Sequence, residues 1–237
     1  MLDSNIAKLH AQKLTDEKVV DPNNNYLKLA GGNLNTSLGE LYINNGKDEA
    51  LQVGLSIKHL AQQGNIDKQQ FSRQGLSAFG RSIGARTTLS GQFNYDRKQT
   101  YFYGFDPTLA TAGTNPDQQR FNIIKARGEL FNHYAEGNRF SYKIDGNGYL
   151  FNDLFDAKEN NIAFATSLHQ VIYKFTFGVD ASIDLTNSKD LLYSINNNIF
   201  RSNPHVQFQA SNFILNIGLN IVQEYGIQNR MNILPAV

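Results

Sequence analysis

The sequence has no cysteine, no tryptophan and little charge, since only 18% of its 237 residues are Asp, Glu, Lys or Arg. Without cysteine there are no disulfides, thiolate metal ligands or cysteine nucleophiles. A net charge of +1 gives no broad field for a polyanion, so we expect no nucleic-acid partner. No stretch approaches the ~18 to 20 consecutive apolar residues of a membrane-spanning helix. These absences exclude disulfide scaffolds, electrostatic nucleic-acid binders and helical membrane proteins.

Catalytic signatures are missing as well. The sequence contains no Walker motif, no GxSxG, no GxGxxG and no HExxH. Its histidines show no pair at a metal-binding spacing, and we interpret all five as solvated strand or turn positions: His10, His59, His133, His169 and His205. We therefore expect no catalytic residue, no cofactor, no metal ligand and no enzyme activity.

The nearest approach to a metal-binding loop begins at Asp145. A calcium loop of the EF-hand type needs an oxygen ligand at position five and glycine at position six, where this chain has Tyr149 and Leu150. We interpret Gly146 and Gly148 as the continuation of a strand. The carboxylates that follow then lie in a loop, where they bind calcium weakly or stay hydrated: Asp153, Asp156 and Glu159.

Residues that favour strands and turns dominate the sequence. Asn occurs 28 times and Gly 19 times, with 16 Phe and 11 Tyr. Apolar residues alternate with polar ones from Tyr173 to Leu185, and the same period of two recurs at 51–57, 124–130, 140–144 and 213–221. Such strands have one apolar and one hydrophilic face. The sequence therefore predicts an all-β chain.

The connections predict how these strands are joined. Short turns at 44–48, 84–86, 136–138, 169–170 and 211–212 alternate with mostly long polar segments at 63–74, 106–120, 152–159 and 186–204. This alternation is typical of an antiparallel up-and-down meander. We predict about 10 to 12 strands, with eleven candidates at 25–33, 36–44, 50–62, 75–84, 87–104, 121–135, 139–151, 160–168, 172–185, 205–210 and 213–224.

Two environments suit strands with one apolar face: a soluble β-sandwich, and a transmembrane barrel whose apolar rows face lipid. Several candidates exceed the ~5 to 6 residues of sandwich strands and reach the ~9 to 11 of membrane strands, which favours the barrel. We expect a polar row to line the lumen: Lys125, Arg127, Glu129, Lys143, Lys174, Asp180 and Asp184. We expect an apolar row to face lipid: Leu55, Ile57, Phe175, Phe177, Val179, Leu215, Ile217 and Leu219.

Several short stretches resemble a known family. Residues 25–33 (NYLKLAGGN), 36–44 (TSLGELYIN), 54–60 (GLSIKHL) and 89–97 (LSGQFNYDR) are similar to barrel strands of TonB-dependent receptor-like proteins of Gram-negative outer membranes. The resemblance covers most of residues 25–225. It implies an outer-membrane location and a role in transport, pore formation or reception. We recognise no signal peptide, plug domain or TonB-box segment in these residues and no aromatic residue at position 237, so we expect no residue here to take part in energy-coupled uptake.

These observations together predict an incomplete barrel. About eleven strands is an odd count, whereas single-chain bacterial barrels have even numbers, so we expect residues 25–237 to be part of a larger barrel. Residues 1–24 are expected to be an extended lead-in segment. The expected partners are outer-membrane lipid, the rest of the barrel, and a surface lipoprotein or nutrient ligand. The alternative is a soluble β-sandwich or adhesin-like module that binds through its long loops.

Overall fold

A computed structural model describes residues 24–46, 48–66, 68–101, 118–133, 140–226 and 228–236. The expected lead-in lies outside the described residues, apart from Asn24. Every regular element in the described part is a strand, and none of these residues forms a helix with the length and hydropathy of a membrane span. The strands are β1 (Asn25–Gly32), β2 (Thr36–Asn44), β3 (Leu51–Gln62), β4 (Phe71–Ile83), β5 (Thr87–Tyr101), β6 (Gln118–Asn132), β7 (Phe140–Asn152), β8 (Lys158–Ile172), β9 (Phe175–Lys189), β10 (Ser194–Gln209), β11 (Ile214–Gly226) and β12 (Arg230–Ala236).

All twelve strands belong to one sheet, in which each strand pairs antiparallel with its neighbours in sequence. This arrangement confirms the predicted all-β antiparallel up-and-down meander. The sheet is open, since β1 pairs only with β2 and β12 pairs only with β11 among the described strands. Both edges therefore present backbone N–H and C=O groups without a strand partner.

The structure corrects the predicted strands near the C-terminus. Residues 194–204 were expected to belong to a long loop, but they form most of β10, and residues 230–236 form a twelfth strand that the prediction lacks. The run Asn196-Asn197-Asn198 and Pro204 are turn signals in isolation. Pairing with β9 overrides them, with Asn197 opposite Thr186 and Pro204 opposite Val179. The described residues thus contain an even number of strands, so an odd count no longer supports the expectation of a larger barrel.

The connections are also shorter than expected. The segments predicted as long at 152–159 and 186–204 reduce to 153–157 and 190–193, while 63–70 and 102–117 remain long. Tyr173 and Lys174, expected inside a strand, form the two-residue turn between β8 and β9, and Tyr173 has a positive φ of 55°. The connections at one end of the sheet are therefore longer than those at the other end mainly because of the two segments 63–70 and 102–117.

The described strands form a single layer. No hydrophobic side chain is buried among the described residues, and the buried polar ones are Thr88 and Gln119. Strand pairing alone connects the elements, because each substantial contact joins two neighbouring strands. Each residue therefore faces one side of the sheet or the other, as the period of two requires.

Glycine and phenylalanine pack closely where β3 meets β4. Gly54 pairs with Phe79, and the Phe79 ring lies over the glycine so closely that a Cβ at position 54 would overlap it. Gly80 also lies in β4, but a Cβ there would be 3.8 Å from Val53 Cγ1, which is an ordinary contact. Of these two positions, only position 54 requires glycine, because the Phe79 ring leaves no space for a Cβ atom.

We predict that Gly54→Ala lowers the free energy of unfolding by about 1 kcal/mol, because the Phe79 ring must move. Urea unfolding of the refolded chain measures this change. Gly80→Ala is the matched control and should be neutral or slightly stabilising. In a Phe79→Ala background the cost of Gly54→Ala should disappear, and a cost that persists there would contradict this explanation.

Candidate functional site: the two faces of the sheet

The register divides the strand residues between two faces of different chemistry. One of them, here called the apolar face, contains all eight residues expected to face lipid. Direct pairs establish this: Ile57 lies opposite Leu41, Phe177 opposite Val206, and Val206 opposite Ile217. The other members follow at alternate positions of the same strands: Leu55, Phe175, Val179, Leu215 and Leu219.

The opposite side, here called the polar face, contains six of the seven residues expected to line a lumen. Arg127 lies opposite Asn147, which follows Lys143 and Asp145 at alternate positions in β7. Lys174 is the exception, because it lies in the turn before β9. The other members of this row are Lys125, Glu129, Asp180 and Asp184. All charged residues of the strands lie on the polar face except Arg97, Arg120, Lys158 and Lys189.

The apolar face is bordered by a row of polar residues at the end of the sheet that carries the long connections. This polar rim contains directly paired residues from β3 to β7 and continues from β8 to β10. Between the rim and the opposite turns, the described strands place no charged side chain on the apolar face. The rim residues are His59, Gln74, Arg97, Asn122, Asn152, Asn160, Asn187 and Asn196.

The apolar band below this rim extends along most of strand β9. In β9 it extends from Phe175 to Leu185, a distance of about 33 Å along the strand at ~3.3 Å per residue. A tilt of about 45° projects this length to roughly 23 Å, close to the ~25 Å apolar band of outer-membrane barrels. The four charged residues of the apolar face lie at or beyond the rim.

Aromatic residues gather at the other end of the band. The Phe175 and Phe208 rings are 5.0 Å apart, and Phe213 lies 5.8 Å from Phe208. Phe175 and Phe213 are exposed, as is Tyr173 in the adjacent turn. Amphipathic and aromatic rings in such a position are typical of a membrane–water interface.

Ion pairs connect β6 and β7 on the polar face. The Arg127 guanidinium donates to Asp145 Oδ2 over 2.9 Å and lies 3.4 Å from Glu129 Oε2. Lys143 Nζ lies 3.7 Å from the same Glu129 oxygen. Arg127 and Lys143 are more than half exposed, so this cluster is hydrated and mixed in sign.

A second polar network joins β7, β8 and β9. Asn161 Nδ2 donates to Asp184 Oδ1 and to Thr186 Oγ1, each over 2.8 Å, and the Thr186 hydroxyl donates to Asp184 over 3.0 Å. Nearby, Glu159 accepts hydrogen bonds from the Tyr149 hydroxyl and from Ser188 Oγ. Side-chain hydrogen bonds therefore cross-link neighbouring strands on the polar face.

The structure also shows where the residues of the calcium template lie. Gly146 and Gly148 continue strand β7, as expected from the sequence. Asp153 Oδ1 accepts the N–H groups of Phe155 and Ala157 over 2.8 and 2.9 Å, while its Oδ2 accepts Gln119 Nε2. This carboxylate therefore closes the β7–β8 connection.

Three residues that show no metal-binding spacing in the sequence lie close together on the polar face. His169 in β8 and His205 in β10 both lie opposite Gly178 in β9, and Asp180 follows two residues later. One potential ligand atom from each of the three lies within 4.8 Å of the others. The prediction missed this cluster because it placed a turn at 169–170. Because the turn lies at 173–174, His169, four residues before it, pairs with Gly178, four residues after it.

No protein-family model and no curated protein matches this chain. The resemblance to TonB-dependent receptor-like barrels therefore rests on residues 25–33, 36–44, 54–60 and 89–97 alone.

We predict that Asn161→Ala lowers the free energy of unfolding by about 1 to 2 kcal/mol, because it removes two hydrogen bonds, one of them to a carboxylate. Asn160→Ala is the matched control, since Asn160 is the adjacent asparagine on the opposite face and its loss should stay within about 0.5 kcal/mol. Chemical unfolding of both variants measures the difference. Equal effects would contradict the structural role of the polar-face network.

Proposed function

We propose that this chain forms part of the wall of a bacterial outer-membrane β-barrel with a non-catalytic role in transport, pore formation or nutrient reception. One observation carries the proposal: a twelve-stranded sheet has a continuous apolar face that no protein layer covers in the described structure. Apolar surface of this extent needs a non-aqueous neighbour. In the proposal, that neighbour is lipid.

The exposed area supports this reading. The chain exposes 18103 Å², whereas a compact monomer of its 26.6 kDa would expose about 10,700 Å². Exposed side chains of the band include Phe164, Phe177 and Ile217, each more than 40% accessible. A soluble monomer rarely exposes a contiguous apolar patch beyond a few hundred Å². Part of this exposed area thus belongs to apolar side chains on the face where lipid would lie.

Three features favour lipid over a second protein layer. Strands β3 to β11 have 12 to 16 residues, longer than the ~5 to 6 residues usual in sandwiches. The polar rim limits the band to a membrane-like height, and an aromatic cluster lies at its other end. The polar face carries hydrated ion pairs that suit a water-filled lumen. Its mixed charges predict weak ion selectivity.

The two edges of the sheet need partners in this environment. Unpaired backbone groups are too costly in hydrocarbon, so an open sheet cannot border lipid at its edges. We propose that the rest of a larger barrel pairs with β1 and β12. A surface lipoprotein or a nutrient would then meet the barrel at the end with the long connections, 63–70 and 102–117.

A soluble β-sandwich or adhesin-like module is the second candidate, because a second sheet could also cover the apolar face. Expression of residues 1–237 in buffer without detergent separates the two. The membrane proposal predicts aggregation in buffer and folding in detergent micelles or lipid vesicles. A monodisperse monomer in buffer alone would favour the soluble module and overturn the proposal.

Arginine substitutions test the lipid-facing row directly. Val179 lies near the middle of the band and Phe177 nearer its end, so Val179→Arg should cost ~2 to 4 kcal/mol of folding in a bilayer and Phe177→Arg less. Thr176→Arg, on the polar face of the same strand, is the control and should be nearly neutral. The measurement is urea unfolding in lipid vesicles, and equal costs at positions 176 and 179 would contradict the assignment.

A further inference from the structure

A glycine separates two imidazoles on the polar face. His169, Gly178 and His205 form one cross-strand row in β8, β9 and β10. The two rings approach each other across the glycine, with centroids 5.4 Å apart. A Cβ at position 178 would lie 2.7 Å from His169 Cδ2 and closer still to His205 Nε2. Only glycine at this position leaves the space that the two rings share.

A carboxylate completes the group. Asp180 follows Gly178 on the same face of β9, with Oδ1 4.0 Å from His169 Nε2 and Oδ2 3.7 Å from His205 Nδ1. Asp180 and His169 are partly exposed, at 45% and 33% of their side-chain area, while His205 is more enclosed at 14%. The group is therefore accessible from the polar face and needs no opening of the sheet.

The neighbouring asparagine orients His205. Nδ1 of His205 lies 3.1 Å from the Asn203 carbonyl oxygen and 3.0 Å from Asn203 Oδ1, so Nδ1–H donates to Asn203. Asn203 Nδ2 in turn donates to Asn220 Oδ1 over 2.7 Å and to Leu219 O over 3.3 Å. The lone pair of His205 is then on Nε2, the atom above Gly178. In metal-ligating histidines, the second ring nitrogen typically donates a hydrogen bond to an oxygen atom of the backbone or of a side chain.

We propose that His169, Asp180 and His205 bind a divalent transition-metal ion, with Zn²⁺ as the best match. Two imidazoles and one carboxylate with an open fourth position form a common zinc ligand set. Zinc–ligand bonds of ~2.0 to 2.2 Å place tetrahedral ligand atoms about 3.3 Å apart. One potential ligand atom of each residue lies within 4.8 Å of the others, so a metal ion would require side-chain rotations that bring the His205 Nε2 atom and the two other ligand atoms closer together.

The site goes beyond the proposed barrel function and does not depend on what covers the apolar face. A metal held on the polar face would leave one coordination position open to an oxygen or nitrogen donor, such as water or a carboxylate ligand. The site would then recognise either the metal itself or a small anionic molecule bound through it.

Metal titration of the full chain, folded in detergent or buffer as it requires, tests the proposal. We expect saturable Zn²⁺ binding with one site in this cluster, measured by calorimetry, and a tetrahedral visible spectrum when Co²⁺ replaces Zn²⁺. His169→Gln, His205→Gln and Asp180→Asn should each weaken binding at least tenfold, since removing even a partner of a ligand costs about 10- to 100-fold. His59→Gln, in the polar rim on the other face, is the control and should bind as the wild type does.

Gly178→Ala provides an independent test that keeps all three ligands. Its methyl group would occupy the space between the rings, so Zn²⁺ affinity should fall at least tenfold while the circular dichroism of the sheet is retained. If one ligand variant fails to fold, the other variants and the Co²⁺ spectrum of the wild type still test whether the three residues bind the metal. Absence of saturable binding in the wild type, or ligand variants that bind as tightly as His59→Gln, would overturn the proposal.

Discussion

One constraint shapes this structure: a single-layer sheet has two faces, and here one face is apolar and uncovered. Because side chains alternate along each strand, the register assigns every strand residue to one face. Charges therefore collect on the polar face, where they form ion pairs such as Arg127 with Asp145. Many phenylalanine and aliphatic residues collect on the other face, and no hydrophobic side chain is buried among the described residues. The proposals on lipid contact, on a hydrated lumen and on edge pairing all depend on this separation.

The two faces were predictable where the alternation is regular. In β3 and β9, residues such as Ile57 and Val179 follow a strict period of two, and the structure places them together. The prediction failed where local signals oppose the pairing. Pro204 cannot donate a backbone hydrogen bond, yet it lies inside β10 opposite Val179 of β9, and the adjacent Asn203 donates from Nδ2 to Leu219 O of β11. The short strand β12 has too few alternating residues to be recognised alone.

The polar-face groups were harder to predict, because cross-strand partners depend on where each turn lies. An error of a few residues in one turn moved His169 from a strand into a loop and hid its proximity to His205. The identity of the ligand-forming residues was visible in the sequence, but their convergence was not. Gly178 is the one local signal, because glycine inside a strand often marks a close approach of neighbouring groups.

Depth-resolved fluorescence quenching tests whether the apolar face contacts lipid. The chain has no cysteine, so single cysteines at positions 175 to 185 can each carry an environment-sensitive dye in lipid vesicles. The account predicts that doxyl-labelled lipids quench dyes at odd positions, such as 179, and leave dyes at even positions, such as 182, accessible to aqueous iodide. Quenching by lipid at neither set, or equally at both, would contradict a lipid-facing apolar row.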